Sequence, residues 1–455
     1  MRHEDAGMNA AAPTCSRRSL LQHGLIGAAG MLLAERGGTR AADAPAAPGA
    51  AAPEAKAKSV IQVWLWGGSC HLDTFDPKPA AGEAFCGPLS RPVATSDPTV
   101  FLCELLPKLA EQFSKYSIIR SLTHGNNSHE TAAYLVQTGR NPSERVVYPT
   151  AGAVVSLFRR ADANRLGLLP PYIVLTQPQG RFDEAGFLGN RYKPFATGGD
   201  PNAARFVVEG LVGQLSEAEL RQRRDLLHRL GSLPRALPKN PTIQALAKSE
   251  DDAYDLLLGD ASRLFDLNQE TNELRTKYGR NTFGQSCLMA RRLVQRGVPY
   301  VTINFGGWDT HREHFQAMRS KLPQLDAGLA TLFADLADRG LLDSTVVWCG
   351  SEFGRTPRVA TESPWNGGRH HFGQVFSSIV GGGGFRGGRV VGSSDARGEA
   401  VRDRPVYPHD MIGSMYQLLG IDPNGRLPHP QGLEVRVTPD ANEEAGRGGL
   451  LREIM

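Results

Sequence analysis

The sequence predicts an α/β fold with a mostly parallel central sheet, helices on both of its faces and an inserted helical cap. Three observations predict it. Short runs of almost wholly apolar residues recur along the chain, as strands buried on both faces require. Patterns of helical periodicity fall between several of these runs. One stretch, 194–255, breaks the alternation with Gly and Pro followed by charged helical patterns, and is assigned to the cap.

The first apolar run covers 60–66 (VIQVWLW) and stops at Gly67-Gly68. Further strands are expected at 116–119, 172–175, 300–303, 345–348 and 375–380, and helices at 131–138, 151–160, 283–296, 315–339 and 409–419. In the longest helix Leu322, Leu325, Leu329, Leu332, Phe333 and Leu336 recur every three or four residues, so one face packs on the sheet. Gly340 ends that helix and a short connection leads into the next strand. A length of 455 residues exceeds one average domain, but large α/β sheets absorb it with insertions. The organisation expected is a leader over 1–44, an Ala/Pro-rich linker over 45–58, one α/β domain over 59–438 containing the 194–255 insertion, and a charged, Gly-rich flexible tail over 439–455.

Ser16-Arg17-Arg18-Ser19-Leu20-Leu21, the uncharged run 25–34 and the small residues of 41–44 follow the order of a twin-arginine export signal. The uncharged run is far below the roughly 20 residues of a membrane-spanning helix, so the mature chain is expected to carry no transmembrane segment. It is assigned to the periplasm or the exterior, with the twin-arginine export machinery as a partner. The 51 Lys and Arg residues are scattered among 47 Asp and Glu rather than massed into a stripe, which argues against nucleic acid as a partner. Five cysteines lie beyond the leader with no Cys-x-x-Cys pair, so neither a zinc ribbon nor a dense disulfide scaffold is present. Cys70, Cys86 and Cys103 fit either a bridge or buried free thiols.

Ligands of open α/β sheets sit beyond the carboxyl ends of the strands. The loops expected there hold seven of the ten histidines outside the leader: His71 and Asp73 after the first strand, His124, His129 and Thr131 after the second, Asp309, His311 and His314 after the run at 300–303, and Glu352 and Arg355, then Arg369, His370 and His371, after the run at 345–348. A single Asp–His pair often only caps a loop. Recurrence after successive strands points instead to a shared site. Imidazole mixed with carboxylate suits zinc, manganese or iron over calcium, which takes oxygen ligands almost exclusively. Thr131 opens a helical pattern, and either aims its hydroxyl at a bound anion or caps the helix; Ser128 has the same two readings. Arg355 and Arg369 are expected to hold an anion bidentately. The glycines of 381–384 and 387–388 read as a turn, because no Gly-Lys-Ser/Thr follows. Neither a serine-hydrolase elbow nor a dinucleotide fingerprint is present, and no organic cofactor is expected.

Five blocks, WGGSCHLDTFDPKP, RSLTHGNNSHETAAY, GRNTFGQSCLMARRLVQRGVPYVTINFGGWDTH, GSEFGRTPRV and GGRHHFGQVFSSIVGGGGFRGGRVVGSSDARG, resemble the bacterial family called domain of unknown function 1501. That family is similar in fold to the alkaline phosphatase and sulfatase superfamily, so the resemblance implies an alkaline phosphatase-like sheet with metal at its carboxyl edge. It implies Asp73 as the metal-binding Asp of the first strand, Asp309 with His311 or His314 as an Asp–His ligand pair, and His371 as the late histidine ligand. Glu352-Phe353 stands where relatives have Asp-His, and Phe353 cannot bind metal. Gly-Arg-His370-His371 replaces a usual Gly-Arg-Asp-His, which either alters the surroundings of the site or adds His370 as a ligand.

The activity expected is metal-dependent hydrolysis of phosphate or sulfate esters, with an anionic ester, such as one on a sulfated polysaccharide, as substrate. Ligands are drawn from His71, Asp73, Asp309, His311, His314, Glu352, His370 and His371; His124 and His129 serve as further ligands or proton carriers. The competing expectation is a non-catalytic exported metal-containing protein that binds glycans or acts as a scaffold, favoured by the Phe353 departure.

Overall fold

The computed structural model describes residues 53–163, 169–176, 184–204, 206, 208, 217–240, 243–244, 247, 251, 254, 258, 261–440, 446 and 448–455. The expected twin-arginine leader and most of the expected linker lie outside them. The elements that position the site are, in chain order, β1 (Ser59–Trp64), β2 (Tyr116–Leu122), α1 (His129–Thr138), α2 (Ala151–Ala163), β3 (Tyr172–Leu175), β4 (Phe195–Ala196), α3 (Glu217–Leu230), α4 (Thr282–Gln295), β5 (Tyr300–Asn304), α5 (His314–Asp338), β6 (Thr345–Gly350), β7 (Gly354–Arg355), β8 (His371–Phe372), β9 (Phe376–Gly381), β10 (Arg389–Val391) and α6 (Pro408–Leu418). They belong to one compact unit made of 48–427 and 434–455. Within the separate stretch 428–433, the Gly432 amide donates to the His429 carbonyl at 2.9 Å.

Eight strands form one sheet in the order β10-β2-β9-β6-β1-β5-β3-β4. β9 runs antiparallel to β2 and β6, and the other pairings are parallel. The mostly parallel α/β architecture is therefore present. β1 lies near the middle, where Val63 faces Ile303 of β5 on one side and Cys349 of β6 on the other. All six of its residues are buried, because both faces of the sheet are covered. Ile61 and Val63 join one core with Leu288 and Leu293 of α4 and Leu322, Leu325, Leu329, Leu332, Phe333 and Leu336 of α5. Val60 and Trp64 join the opposite core with Ala133 and Val136 of α1, Val154 and Val155 of α2, and Met411 and Met415 of α6.

Other segments settle differently from their sequence patterns. Phe195–Ala196, inside the stretch assigned to the cap, pairs with β3 and becomes the sheet's edge strand. The tail expected to be flexible ends with Leu451 and Ile454 fully buried, and the Arg386 amide donates to the Ile454 carbonyl at 2.7 Å. Its glycine and charge content hid an apolar terminal pair. The glycine run after β9 turns tightly and the Gly383 amide donates to the Leu342 carbonyl. Because β9 runs backwards, Gly381 lies beside Tyr116, the first residue of β2, at the end of the sheet away from the site. The five described cysteines are all buried and free. Among the described residues no helix is long and apolar enough to cross a membrane.

Candidate metal centre

The loops leaving β1, β2, β5 and β6 meet at the carboxyl edge of the parallel strands. Close approach of backbones makes the meeting possible. Gly67 follows β1 with φ 113°, and a Cβ there would lie 2.2 Å from the Asp309 amide nitrogen. Gly368 would put a Cβ 1.8 Å from the His311 carbonyl oxygen. Two glycines thus let the β1 loop and the segment leading to His371 press onto the 309–311 loop.

Asp309 is the hub of what they bring together. His129 Nε2 lies 3.3 Å from its Oδ2, while His311 Nε2 and His371 Nε2 lie 3.0 and 3.2 Å from its Oδ1. His311 Nε2 and His371 Nε2 are themselves 2.9 Å apart. The other ring nitrogen of each histidine is occupied. His129 Nδ1 meets Glu352 Oε1 at 2.7 Å, His371 Nδ1 meets the Asn127 carbonyl at 2.8 Å, and His311 Nδ1 meets His370 Nδ1 at 3.0 Å. A carbonyl oxygen only accepts, so His371 carries its proton on Nδ1, and a neutral His129 beside an ionised Glu352 does the same. Their Nε2 lone pairs then face the carboxylate of Asp309. Electron-rich atoms at such distances repel unless a cation or a proton lies between them.

The electrostatics follow from burial and pairing. Partial burial raises the Asp309 pKa, but the bond and charge of Arg355 outweigh it and hold the carboxyl at about 2. Burial pushes Glu352 up, and burial pushes His311 and His371 down toward the neutral, ligating form. His129 moves up because Glu352 accepts its proton. The Glu352 carboxylate also accepts the Gly67 amide at 2.8 Å, and His124 Nε2 donates to the Glu352 carbonyl at 2.7 Å. His124 therefore props the loop and does not touch Asp309. Phe353 fills the floor, with ring centroids 4.9 Å from His129 and 4.7 Å from His371.

Asp73 and His314 form a second, wholly buried network with Arg369. Asp73 accepts from His314 Nε2 at 2.8 Å and lies 2.7 Å from Arg369 Nε. The ionised Asp73 carboxylate only accepts, which places a proton on His314 Nε2, and Thr310 Oγ1 lies 2.5 Å from the Nδ1 of the same ring. His71 is buried, bonds the Gly398 carbonyl at 2.9 Å and stacks on Phe372; desolvation lowers its pKa to about 4. Neither arginine offers a free fork. Arg369 spends its guanidinium on Asp73 and the carbonyls of Phe85, Thr356 and Pro357. Arg355 spends its own on Asp309 and the carbonyls of Gly67, Gly68 and Arg369. Both are fully buried. Thr131, half-buried in the first turn of α1, lines a cavity of about 310 Å³ with Glu130, Tyr134, Val147 and Glu184. Sequence reasoning passed over Trp66 and Trp365, whose rings lie 5.4 Å from His129 and 4.7 Å from His370. The signal available was position: both stand within a few residues of the ligand loops.

The family model described as "Protein of unknown function (DUF1501)" matches residues 57–445. The chain belongs to this family. No curated protein matches it. Among solved structures it is similar to a protein in the alkaline phosphatase superfamily from Vibrio parahaemolyticus, 13% identical, covering 87% of this chain and 73% of that chain with a TM-score of 0.39. It is similar also to the lipoteichoic acid synthase LtaP from Listeria monocytogenes, 10% identical over 88% of this chain and 79% of that chain, TM-score 0.38. A third is the PsFucS1 sulfatase from Pseudoalteromonas sp., 12% identical over 81% of this chain and 68% of that chain, TM-score 0.34.

This DUF1501 chain brings together donor atoms of the kind a metal takes. His129, Asp309 and His371 each offer a ligand atom, and these lie within 4.8 Å of one another. Donors around a tetrahedral ion with bonds of about 2.0–2.2 Å stand roughly 3.3 Å apart. His129 Nε2 stands 3.3 Å from Asp309 Oδ2 and His371 Nε2 stands 3.2 Å from Asp309 Oδ1, each close to that spacing but to a different carboxylate oxygen. His129 Nε2 is buried without a hydrogen-bond partner, at the position where an ion would satisfy the imidazole. Outer bonds to Nδ1 of the kind made by Glu352 and Asn127 are how proteins aim histidine at a metal. The residues fit.

Proposed function

We propose that the chain is an exported metal-dependent hydrolase of phosphate or sulfate esters, carried out by the twin-arginine route. Its centre is built from His129, Asp309 and His371, with His311 beside them. The observation that supports this reading is the convergence of Nε2 atoms on Asp309 while each Nδ1 is held from outside. A bound zinc, manganese or iron ion would supply Lewis acidity and a nucleophile at neutral pH. The protein's own part is to orient and to move protons. Glu352 holds the His129 ring, and the Asn127 carbonyl holds the His371 ring. The Nδ1 atoms of His311 and His370 share one proton, so His370, half-buried, can pass a proton between solvent and the centre. Asp73, His314 and Arg369 are read as a structural ion-pair network beneath the site.

A second reading, a non-catalytic exported metal-containing protein that binds glycans or acts as a scaffold, is favoured by the two arginines being wholly consumed by internal partners, which leaves neither free to hold an ester anion. One experiment separates them: metal analysis of the mature protein, then assay of aryl phosphate and aryl sulfate with and without chelator. The hydrolase reading expects turnover of one ester that is lost with chelator, restored by the metal, and reduced at least about 100-fold in His371→Ala. Stoichiometric metal with no turnover of either ester supports the second reading.

A further inference from the structure

Of the five tryptophans, Trp64, Trp308 and Trp348 are buried in the cores, whereas Trp66 and Trp365 remain half-buried beside the histidines. Trp365 stands edge-on to His370, centroids 4.7 Å apart at 87°, and 6.2 Å from His311. Its loop is anchored: the Glu313 amide donates to the Trp365 carbonyl at 3.4 Å and the Trp365 amide to the Glu362 carbonyl at 2.8 Å. The exposed guanidinium of Arg312 lies over the indole, 5.9 Å from the ring centroid. Unlike Arg355 and Arg369, its side chain faces solvent. Exposed Glu362 and Asn366 flank the same turn.

A flat apolar face held rigidly among charged and amide groups matches a particular kind of ligand. A pyranose ring has an apolar face of C–H groups and a rim of hydroxyls, so it can stack on indole while its edge meets polar neighbours. A lipid tail would leave those polar groups desolvated and unpaired. We propose that Trp365 and Arg312 form a subsite for the sugar ring of an anionic sugar ester, with the ester group reaching the Asp309 centre. This deepens the hydrolase reading and rests on it. Trp365 supplies the stacking face, and Arg312 supplies the cation that Arg355 and Arg369 cannot lend.

Calorimetric titration of the zinc-loaded full chain tests it with two probes that share one anionic group: the non-hydrolysable phosphonate isostere of glucose 6-phosphate, and methylphosphonate. Wild type is expected to bind the sugar probe about tenfold more tightly than methylphosphonate. In Trp365→Ala that ratio falls to near one, and Trp365→Phe, which keeps an aromatic face, retains most of it. Equal affinities in wild type, or an unchanged ratio in Trp365→Ala, overturn the subsite. Zinc dependence of methylphosphonate binding reports on the metal centre separately. Zinc-dependent binding with an unaltered ratio discards the subsite alone, whereas a Trp365-dependent sugar preference without any zinc dependence keeps the subsite and discards the centre.

Discussion

Glu352 shows how one carboxylate can act without touching an ion. Its Oε1 accepts from the Gly67 amide and from His129 Nδ1, so it ties the β1 loop to the first residue of α1. Charge on Glu352 makes the facing Nε2 of His129 a stronger donor. Glu352→Gln keeps an oxygen for both bonds but removes the charge. The expected result is zinc affinity weakened about 10- to 100-fold, read by competition with a chromophoric chelator, with little loss of folding stability. Asp73 plays the opposite part. Burial raises its pKa, but Arg369 and His314 outweigh burial and hold it at about 2, below the ordinary value of 3.8. A depressed carboxylate contributes stability that is present above the unfolded pKa and lost as pH falls toward the folded one, here between about pH 4 and pH 2. The loss should be on the order of 2 kcal/mol. Asp73→Asn should flatten that part of the profile of melting temperature against pH, and should cost about 3–5 kcal/mol at neutral pH because Arg369 is left buried and unpaired.

Helix α1 carries His129 at one end and is pinned to the sheet at the other. Gln137, two turns along, accepts from Gln62 Nε2 of β1 at 3.1 Å, while Gln62 Oε1 accepts from Tyr300 and Thr302 of β5 at 3.1 and 3.2 Å. Gln137→Leu leaves the buried Gln62 amide without that partner, which should cost about 1–3 kcal/mol in urea unfolding. The strands and helices themselves were legible in the sequence. Apolar runs such as 60–66 and the leucine repeat of α5 follow from burial on both sheet faces, and each expected strand or helix lies within a few residues of its pattern, whereas the short edge strands β4 and β10 carried no apolar run long enough to announce them. The loops holding the site were legible for the same reason, since they follow strands. Partner choice within them was not. His314 and His311 are three residues apart, yet His311 faces Asp309 and His314 faces Asp73. What separates them is the left-handed turn at Glu313, φ 49°, just before α5, together with the approach permitted by Gly67 and Gly368. Arg355 and Arg369 have the composition of an anion clamp, but only packing reveals that carbonyls already fill their forks. Leu451 and Ile454 were masked by the glycines and charges around them.

At the scale of the whole molecule, the proposed centre is a clasp. His129 follows β2, Asp309 follows β5, and His371 opens β8, so one ion would join chain segments up to 242 residues apart in sequence, counting from His129 to His371. An ion bound only by the folded chain stabilises it by mass action, by about 2.7 kcal/mol when free metal is 100 times its dissociation constant. With unfolding entropy near 2.1 cal/mol/K per residue, that becomes a shift of about 3 °C in melting temperature for a chain of this length. Wild-type protein moved from zinc to chelator should therefore melt about 3 °C lower by calorimetry. His371→Ala should melt at the same temperature in both, because the clasp has lost one arm. A wild-type protein indifferent to chelator would leave the Nε2 lone pairs facing Asp309 to be satisfied by protons alone. The shift would then appear as a steep dependence on pH through the histidine range rather than on metal.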